Sequence, residues 1–280
     1  MKKIFYILLV VLASLNACTA RPSPTSKLLL VSTTSTQDSG LLDVLLPAFE
    51  EATGYSVQLI STGSGQALKI AEEGNADVIL LHSPSAEKEF MAQGYGVDRR
   101  LVMHNDFVII GPVDDSAKIN GKNSIEALKS IYKTQANFVS RGDDSGTHVK
   151  ELALWKLTGL DPAGQPWYIE TGQGQGATLS IANEKDGYAL TDRGTFLAYQ
   201  ANISLKILVQ NDKSLLNVYH VITVNPEKWP HVNLEGTKAF ADFVTSLQGQ
   251  KIIREFGVDK YGQALFYPDA DKTDAELGLP

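Results

Sequence analysis

The chain has 280 residues, of which 32 are acidic and 25 are basic, so its formal net charge is −7. A chain this acidic does not bind nucleic acid through bulk electrostatics, and any anion that it captures must be held by a local site. The length is sufficient for two lobes. Cys18 is the single cysteine, which excludes a disulfide within the mature chain.

The N-terminal segment has the pattern of a secretory signal. Lys2 and Lys3 give it a positive start, and residues 4–13 form an almost unbroken apolar run that is short for a membrane span. The following Leu-Asn-Ala-Cys, which ends at Cys18, resembles the bacterial lipobox. This resemblance implies cleavage before Cys18 and attachment of lipid to its thiol. The alternative is a plain signal peptide with an idle thiol.

These patterns divide the N-terminus into two parts. Residues 1–17 are predicted to be a signal peptide, and residues 18–26 a lipidated cysteine with its tether. Residues 19–26 are interpreted as a flexible tether because they contain two prolines and have no apolar face. Removing the signal takes away Lys2 and Lys3, which leaves 23 basic and 32 acidic residues and a net charge of −9. We therefore expect an extracytoplasmic protein, in the periplasm or at the cell surface.

Short β-type runs alternate with helical patterns from residue 27 onwards, which predicts an α/β fold with largely parallel sheets. In chain order the predicted elements are strand 28–32, helix 40–54, strand 55–61, helix 64–74, strand 77–81, helix 85–93, strand 105–112, helix 124–133, strand 137–140, helix 145–157, strands 167–171, 187–191 and 215–226, and helices 237–247 and 250–256. The two long β runs bracket a complete α/β unit. This arrangement predicts that one lobe is inserted into another, with lobe I formed by residues 27–109 plus 221–280 and lobe II by residues 110–220.

Three segments rich in glycine and hydroxyl side chains each follow a predicted strand and precede a predicted helix. They are residues 32–40, 61–67 and 140–148. Ligands of open α/β sheets bind at the carboxyl ends of the strands, where helix N-termini present unpaired amides. If the three turns converge, they form a cage of neutral donors in which Arg141 supplies the fixed positive charge. The ordinary alternative for each segment taken alone is a helix N-cap.

The third segment also admits a metal site or a hydrolase. Asp143, Asp144 and His148 could ligate a cation, although adjacent aspartates at a helix start more often satisfy its amides. Ser145 and His148 lie on one helical face, but no Gly-x-Ser-x-Gly turn is present and spacing alone does not place a nucleophile beside its base. Nearby residues 171–180 have a spacing like Gly-x-Gly-x-x-Gly without the strand, helix and distant acid of a nucleotide site. We interpret this stretch as a hinge or a further helix start.

Four motifs together resemble the tungstate-binding proteins of bacterial tungstate ABC importers, and the similarity extends from about residue 27 to the C-terminal helices. They are TTSTQDSGLLDVLLPAFEEATGY, STGSGQAL, NDFVIIGP and SRGDDSGTH. Where the family has Thr-Thr-Thr-Ser after the first strand, this chain begins the motif with Ser32, which keeps a hydroxyl. The resemblance implies a two-lobed periplasmic-binding-protein clamp that closes over one oxyanion and delivers it to an ABC permease.

The resemblance also implies which residues bind the anion. The expected ligands are Thr34, Ser35, Ser64, Arg141, Ser145 and Thr147. To these we add Thr178, a donor from the helix start near residue 174. Asp143 and Asp144 would shape the loop and cap the helix rather than ligate. A member of this family catalyses nothing and needs no cofactor beyond its ligand, and we expect a monomer that uses neither a metal cation nor nucleic acid.

The physics of the site favours a tetrahedral dianion without deciding its central atom. Burying a double charge is costly unless every oxygen receives donors. Tungstate, molybdate and sulfate then differ in size, whereas phosphate retains a proton and benefits from a carboxylate acceptor. Molybdate and phosphate therefore remain alternatives, and phosphate would gain if Asp38, Asp143 or Asp144 pointed into the cleft.

Overall fold

The computed structural model describes residues 27–279. The predicted signal peptide of residues 1–17, together with Cys18 and the tether of residues 18–26, lies outside the described residues, so these remain predictions. Within the described range, no helix is both long and apolar enough to cross a membrane.

The chain forms ten strands and eleven α-helices across the described residues, with one short 3-10 helix at Lys213–Leu215. The strands are β1 Lys27–Thr33, β2 Ser56–Thr62, β3 Val78–Leu81, β4 Gly96–Gly111, β5 Phe138–Ser140, β6 Tyr168–Glu170, β7 Ala189–Asp192, β8 Lys206–Val209, β9 Leu216–Val224 and β10 Tyr267–Pro268. The helices are α1 Thr34–Asp38, α2 Leu41–Thr53, α3 Ser64–Glu72, α4 Pro84–Ala92, α5 Ser124–Thr134, α6 Gly146–Thr158, α7 Gln175–Glu184, α8 Arg193–Tyr199, α9 Leu234–Thr245, α10 Leu247–Glu255 and α11 Val258–Tyr261.

Local capping residues explain most helix boundaries. The side chain of Asn123 accepts a hydrogen bond from the Glu126 amide and starts α5, and Asn233 does the same with the Gly236 amide at the start of α9. Helix α2 ends where Gly54 adopts a left-handed φ of 77°, which glycine reaches without steric cost. These signals lie within a few residues of each boundary, although the predicted start of α9 at residue 237 is three residues later than the observed Leu234.

The main sheet is mixed, and the prediction of largely parallel sheets is wrong. Its strand order is β10-β4-β9-β3-β1-β2, and β7 and β8 also pair with β4. Only β1 with β2 and β1 with β3 are parallel in this sheet, whereas β9 is antiparallel to both β3 and β4. Strands β5 and β6 form a separate parallel pair. A buried apolar strand looks the same in either direction, so the sequence does not encode the direction of β9.

Strand β4 begins nine residues before the predicted strand 105–112. Its first half contains arginines, which conceal the β pattern, but their charges are paired in the fold. Arg99 contacts Glu87 and Asp274, each within 3.0 Å, and Arg100 contacts Asp98. Distant carboxylates thus make a charged strand possible in the sheet.

Strand β4 pairs with different partners along its length. Its first eleven residues, through Asp106, pair with β9, and its last residues pair with β7 and β8. Near that transition, Phe107 and Ile109 pack into a cluster with Trp155 and Tyr188, on the opposite face from their neighbours along the strand. The exact lobe boundaries remain a prediction.

Six elements were not predicted as such, namely α1, α7, α8, α11, β8 and β10. Helix α7 begins after Gly174 inside the stretch that we interpreted as a hinge or a helix start, and the helix start is what the structure contains. Its sequence is rich in small polar residues, so burial of Leu179 and Ala182 against the rest of the fold defines it better than its own periodicity does.

Candidate anion-binding site

Turns that follow four different strands meet around one cavity of about 30 Å³. The turns come after β1, β2, β3 and β5, and three of them lead directly into a helix whose first residues face the cavity. The lining consists of Thr33, Thr34, Ser35, Thr62, Gly63, Ser64, His82, Arg141, Ser145, Gly146 and Thr147. The volume is far below the roughly 300–1,000 Å³ typical of pockets for organic ligands. The cavity is therefore of the size that suits one small ion.

The turn after β1 is held by hydrogen bonds among its own hydroxyl groups. Thr33 caps α1, and its Oγ1 accepts from the Thr36 amide at 3.2 Å and lies 2.6 Å from the Thr36 hydroxyl. Thr34 and Ser35 follow at the cavity wall. Ser32, where the chain departs from the family motif, is buried and donates to the Leu80 carbonyl, so the departure lies behind the lining.

The turn after β2 leaves the start of α3 without a capping side chain. Gly63 is the N-cap residue, and no side chain accepts a hydrogen bond from the first amides of α3. The first amides of a helix have no partner within the helix, so they require an external acceptor. A Cβ built on Gly63 would have no heavy atom within 4 Å, which leaves this helix start open to the cavity.

The turn after β5 brings both the helix start of α6 and the cationic side chain. Ser145 caps α6 by accepting from the His148 amide at 3.3 Å. Arg141 Nη2 donates to Asp143 Oδ2 at 2.5 Å, whereas the buried Arg141 Nε has no partner among residues 27–279. A buried guanidinium N–H without an acceptor is costly, so Nε is available to an acceptor from outside the chain, and an anion suits its charge.

Asp143 is an internal partner of this turn and not part of the cavity lining. Its Oδ1 accepts from the Ser145 amide at 3.2 Å. Burial would raise the pKa of Asp143, but the hydrogen bonds from Ser145 and the charge of Arg141 lower it below its ordinary value. The carboxylate is thus ionised at neutral pH, and it holds the guanidinium of Arg141 in position through Nη2.

His82 was not predicted, and it forms part of the cavity wall directly after β3. Its Nδ1 lies 2.9 Å from Asn217 Oδ1, and Asn217 Nδ2 in turn donates to Asn105 Oδ1 at 2.7 Å. This network assigns the ring proton to Nδ1 and leaves Nε2 as an acceptor, 3.0 Å from the Thr33 hydroxyl oxygen and 3.3 Å from that of Ser35. Burial lowers the pKa of His82 below its ordinary value, which favours the neutral ring.

No carboxylate lines the cavity within the described part of the chain. Asp38 is exposed at the end of α1, Asp143 pairs with Arg141, and the Asp144 side chain is 98% exposed. A fully ionised anion is therefore not opposed by a negative side chain inside the cavity.

A larger cavity of about 500 Å³ adjoins the small one and shares Ser64, His82 and Gly146 with it. Its remaining lining is mostly apolar and comes from opposite sides of the cleft, with Leu68 on α3 and Val149 on α6 as examples. This space does not have the converging hydroxyl groups and arginine of the small cavity.

The comparisons with known proteins agree with this geometry. A PBP superfamily domain matches residues 19–247. The tungstate-binding protein of Peptoclostridium acidaminophilum is 43% identical over 97% of this chain and 100% of its own length. The chain belongs to the tungstate-binding protein family.

Two solved structures of this family support the assignment. The tungstate-binding protein of Desulfovibrio alaskensis G20 is 44% identical and superimposes with a TM-score of 0.82, covering 88% of this chain and 100% of the other. The tungstate ABC transporter structure from Geobacter sulfurreducens is 48% identical with a TM-score of 0.73, covering 82% and 99%. The predictions of the tungstate-binding protein family and of its α/β periplasmic-binding-protein fold are confirmed.

The structure brings together six of the seven expected ligands of this tungstate-binding protein. Thr34, Ser35, Ser64, Arg141, Ser145 and Thr147 all line the small cavity. Thr178 is not in the lining; it is fully buried at the start of α7, and its hydroxyl lies 2.9 Å from that of Thr171. The fold therefore uses the Thr178 hydroxyl within its own loop, because the turn between β6 and α7 packs on itself.

Sequence reasoning missed five lining residues: Thr33, Thr62, Gly63, His82 and Gly146. His82 was detectable, because it directly follows a buried strand, at the strand end where ligands bind in α/β sheets. Gly146 approaches His82 closely, since a Cβ on Gly146 would lie 3.0 Å from the imidazole Cε1. That proximity depends on the tertiary fold alone.

The metal and hydrolase alternatives find no supporting geometry in the described residues. No three His, Cys, Asp or Glu side chains come together there as a cation site would require. Ser145 Oγ accepts from the backbone amide of His148, while the imidazole Nδ1 accepts from the Asp144 amide at 3.0 Å. His148 Nδ1 is thus engaged by the backbone, and no hydrogen bond joins its ring to Ser145 Oγ as a nucleophile and its base would require.

Proposed function

We propose that this chain is an extracytoplasmic solute-binding protein that captures tungstate and delivers it to an ABC importer. The proposal rests on membership of the tungstate-binding protein family and on the chemistry of the small cavity. Its role is binding and not catalysis, and it needs no cofactor besides the ligand. The membrane permease is its partner, and a monomer is sufficient for this role.

The observation that carries the proposal is the unpartnered Arg141 Nε in a cavity that contains hydroxyl and amide donors and no carboxylate. A buried dianion is stable only when its oxygens receive hydrogen bonds. Thr34, Ser35 and Ser64 supply donors from one side of the cavity. Ser145 and Thr147 supply them, together with Arg141, from the other side.

The absence of a lining carboxylate favours tungstate over phosphate. Phosphate keeps a proton near neutral pH, and that proton needs an acceptor, whereas tungstate has none to donate. Molybdate has the same charge and nearly the same shape, so it is the closest competitor for the site. Sulfate is smaller and would leave some of the donors out of reach.

Closure of the two lobes completes the site in this proposal. Residues 27–109 plus 221–280 carry Ser64, and residues 110–220 carry Arg141. The space of about 500 Å³ next to the small cavity is bordered by both groups of residues and would shrink as they approach. The anion then acts as the bridge that holds the closed form.

The location of the protein follows from its N-terminus in the same proposal. Cleavage before Cys18 and lipid attachment to its thiol would anchor the chain to a membrane surface, with residues 18–26 as the tether. The binding lobes would then remain close to the permease.

Calorimetric titration with tungstate, molybdate, sulfate and phosphate at fixed salt tests the proposal. We expect one anion per chain, with tungstate and molybdate bound much more tightly than sulfate or phosphate. The anions should raise the thermal unfolding temperature in the same order, because a ligand that binds only the folded state stabilises it. Saturable phosphate binding in preference to tungstate would refute the assignment.

A further inference from the structure

His82 is, besides Arg141, the one ionisable side chain that lines the small cavity in the described part of the chain. It is 8% exposed and lies at the floor of the site between β3 and α4. Its two ring nitrogens have different partners, which makes the consequence of a protonation change specific. The following inference rests on the proposed function of the same site.

While the ring is neutral, its Nε2 accepts a hydrogen bond from a hydroxyl group that could otherwise donate to an anion. Nε2 lies 3.0 Å from the Thr33 hydroxyl oxygen, and the Thr36 hydroxyl, 2.6 Å from the same oxygen, can donate to it, which leaves the Thr33 proton for the imidazole instead of the cavity. A protonated Nε2 would donate to Thr33 Oγ1 instead and release the hydroxyl proton for an anion. One proton added to His82 thus yields one more donor for the ligand.

The other ring nitrogen keeps the same bond in both protonation states. Nδ1 already donates to Asn217 Oδ1, whose amide is oriented by its bonds to Asn105 and to the Tyr219 hydroxyl. Protonation therefore changes the hydrogen bonding at Nε2 only. The ring is held in position for that change, since it also packs against the Tyr219 ring with centroids 4.7 Å apart.

The charge balance of the site favours proton uptake. Arg141 is paired with Asp143, so those two residues have no net charge when a dianion arrives. The charged groups that act on His82 from the surrounding elements are Glu87 on α4 and Asp192 at the end of β7, with Lys88, Asp144 and Lys150 lining the adjoining cavity. Burial favours the neutral ring, and a dianion at the cavity floor opposes that effect.

We propose that His82 takes up one proton from solvent when the anion binds, and that this turns the Thr33 hydroxyl from the imidazole towards the ligand. Binding and protonation are then reciprocal. The pKa of His82 is then lower without the anion than with it. Tungstate affinity therefore rises as the pH falls through the interval between these two pKa values. It decreases as the pH rises.

Proton uptake can be measured directly with sodium tungstate at micromolar concentration. Calorimetric titrations at one pH, in buffers with different ionisation enthalpies, give the number of protons taken up per anion. We expect a value approaching one in the middle of the interval. The dissociation constant should rise by up to about tenfold per pH unit through the interval that begins at the lowered pKa of His82 and ends at its higher pKa with the anion bound.

The variant His82→Gln separates protonation from packing. Its amide NH₂ can donate towards Thr33 without titrating, so binding should continue with no proton uptake and a flat pH profile. His231→Gln, which alters a histidine outside the cavity lining, is the matched control and should keep the uptake. Glu151→Gln removes a buried carboxyl group outside the cavity lining whose pKa is raised to about 7, and it should keep the uptake as well.

Nitrogen-15 spectra of the histidine rings give a test that needs no variant. With tungstate added near neutral pH, the His82 signals should change from the Nδ1–H tautomer to the doubly protonated form, while those of His231 stay unchanged. Tight tungstate binding with no proton uptake, or uptake that persists in His82→Gln, would overturn the inference and leave the proposed function intact. Failure of the wild-type chain to bind tungstate at any pH would overturn both.

Discussion

Gly63→Asp should separate the stability of this protein from its ability to bind an anion. Residue 63 has φ −67° and ψ 150°, which any L residue adopts, and a Cβ there meets no heavy atom within 4 Å. An aspartate can therefore be accommodated as the N-cap of α3, where it would accept from the first helix amides. We expect the free energy of unfolding to stay equal or to rise by a few tenths of a kcal/mol.

The same substitution should nearly abolish anion binding. The cavity holds only about 30 Å³, so a carboxylate on residue 63 would lie within roughly 6 Å of a bound dianion. At an effective dielectric constant near 20 the repulsion is about 5 kcal/mol, which corresponds to a loss on the order of 1,000-fold in affinity or more.

Gly63→Asn is the matched control, because it has nearly the same shape and capping ability without the charge. It should cost far less affinity, about tenfold, since it competes for the amides of α3 but does not repel the anion. Calorimetric titration with tungstate and thermal unfolding of both variants measure the two effects. If Gly63→Asp binds tungstate as well as Gly63→Asn does, the anion does not occupy this cavity and the reasoning fails.

Four further predictions use other parts of the chain. Arg141→Ala should weaken tungstate binding by about 10- to 100-fold or more in a calorimetric titration, and Arg141→Lys should recover only part of the loss, because it keeps the charge without the planar donor Nε; wild-type affinity in Arg141→Ala would contradict the site. Burial raises the pKa of Glu151 to about 7, so the free energy of unfolding of the wild type should decrease as the pH rises from the ordinary carboxyl range to about 7 and then level off. Chemical unfolding between pH 5 and 8 should show a smaller decrease for Glu151→Gln, which keeps an acceptor for the Tyr168 hydroxyl. Small-angle scattering should give a smaller radius of gyration with saturating tungstate than without it, and identical curves would count against lobe closure. Cys18→Ser should move the protein from the membrane to the soluble fraction, whereas an unacylated wild-type chain in mass spectrometry would refute the lipid anchor.

The sequence by itself determined the turns that form the site, because their signals are local. Glycine and hydroxyl residues between a strand and a helix specify both the helix start and its open amides, which is why Ser64 and Ser145 could be predicted and both line the small cavity. Arg141 could be identified for the same reason, since it lies in the same turn as the start of α6. The four motifs were also sufficient to identify the family, which the comparisons confirmed.

Only the tertiary structure decided which of these groups line the cavity and which contact each other. Ser145 caps α6 directly, whereas Thr178 lies four residues after the N-cap Gly174 of α7 and its hydroxyl is used within its own turn. His82 and Asn217 are 135 residues apart in the chain, and their contact sets the tautomer at the cavity floor. The direction of β9 likewise depends on neighbours distant in sequence, because apolar burial is the same for a strand of either polarity. Helix starts depend on a few adjacent residues, whereas contacts across the sheet depend on how the whole chain packs.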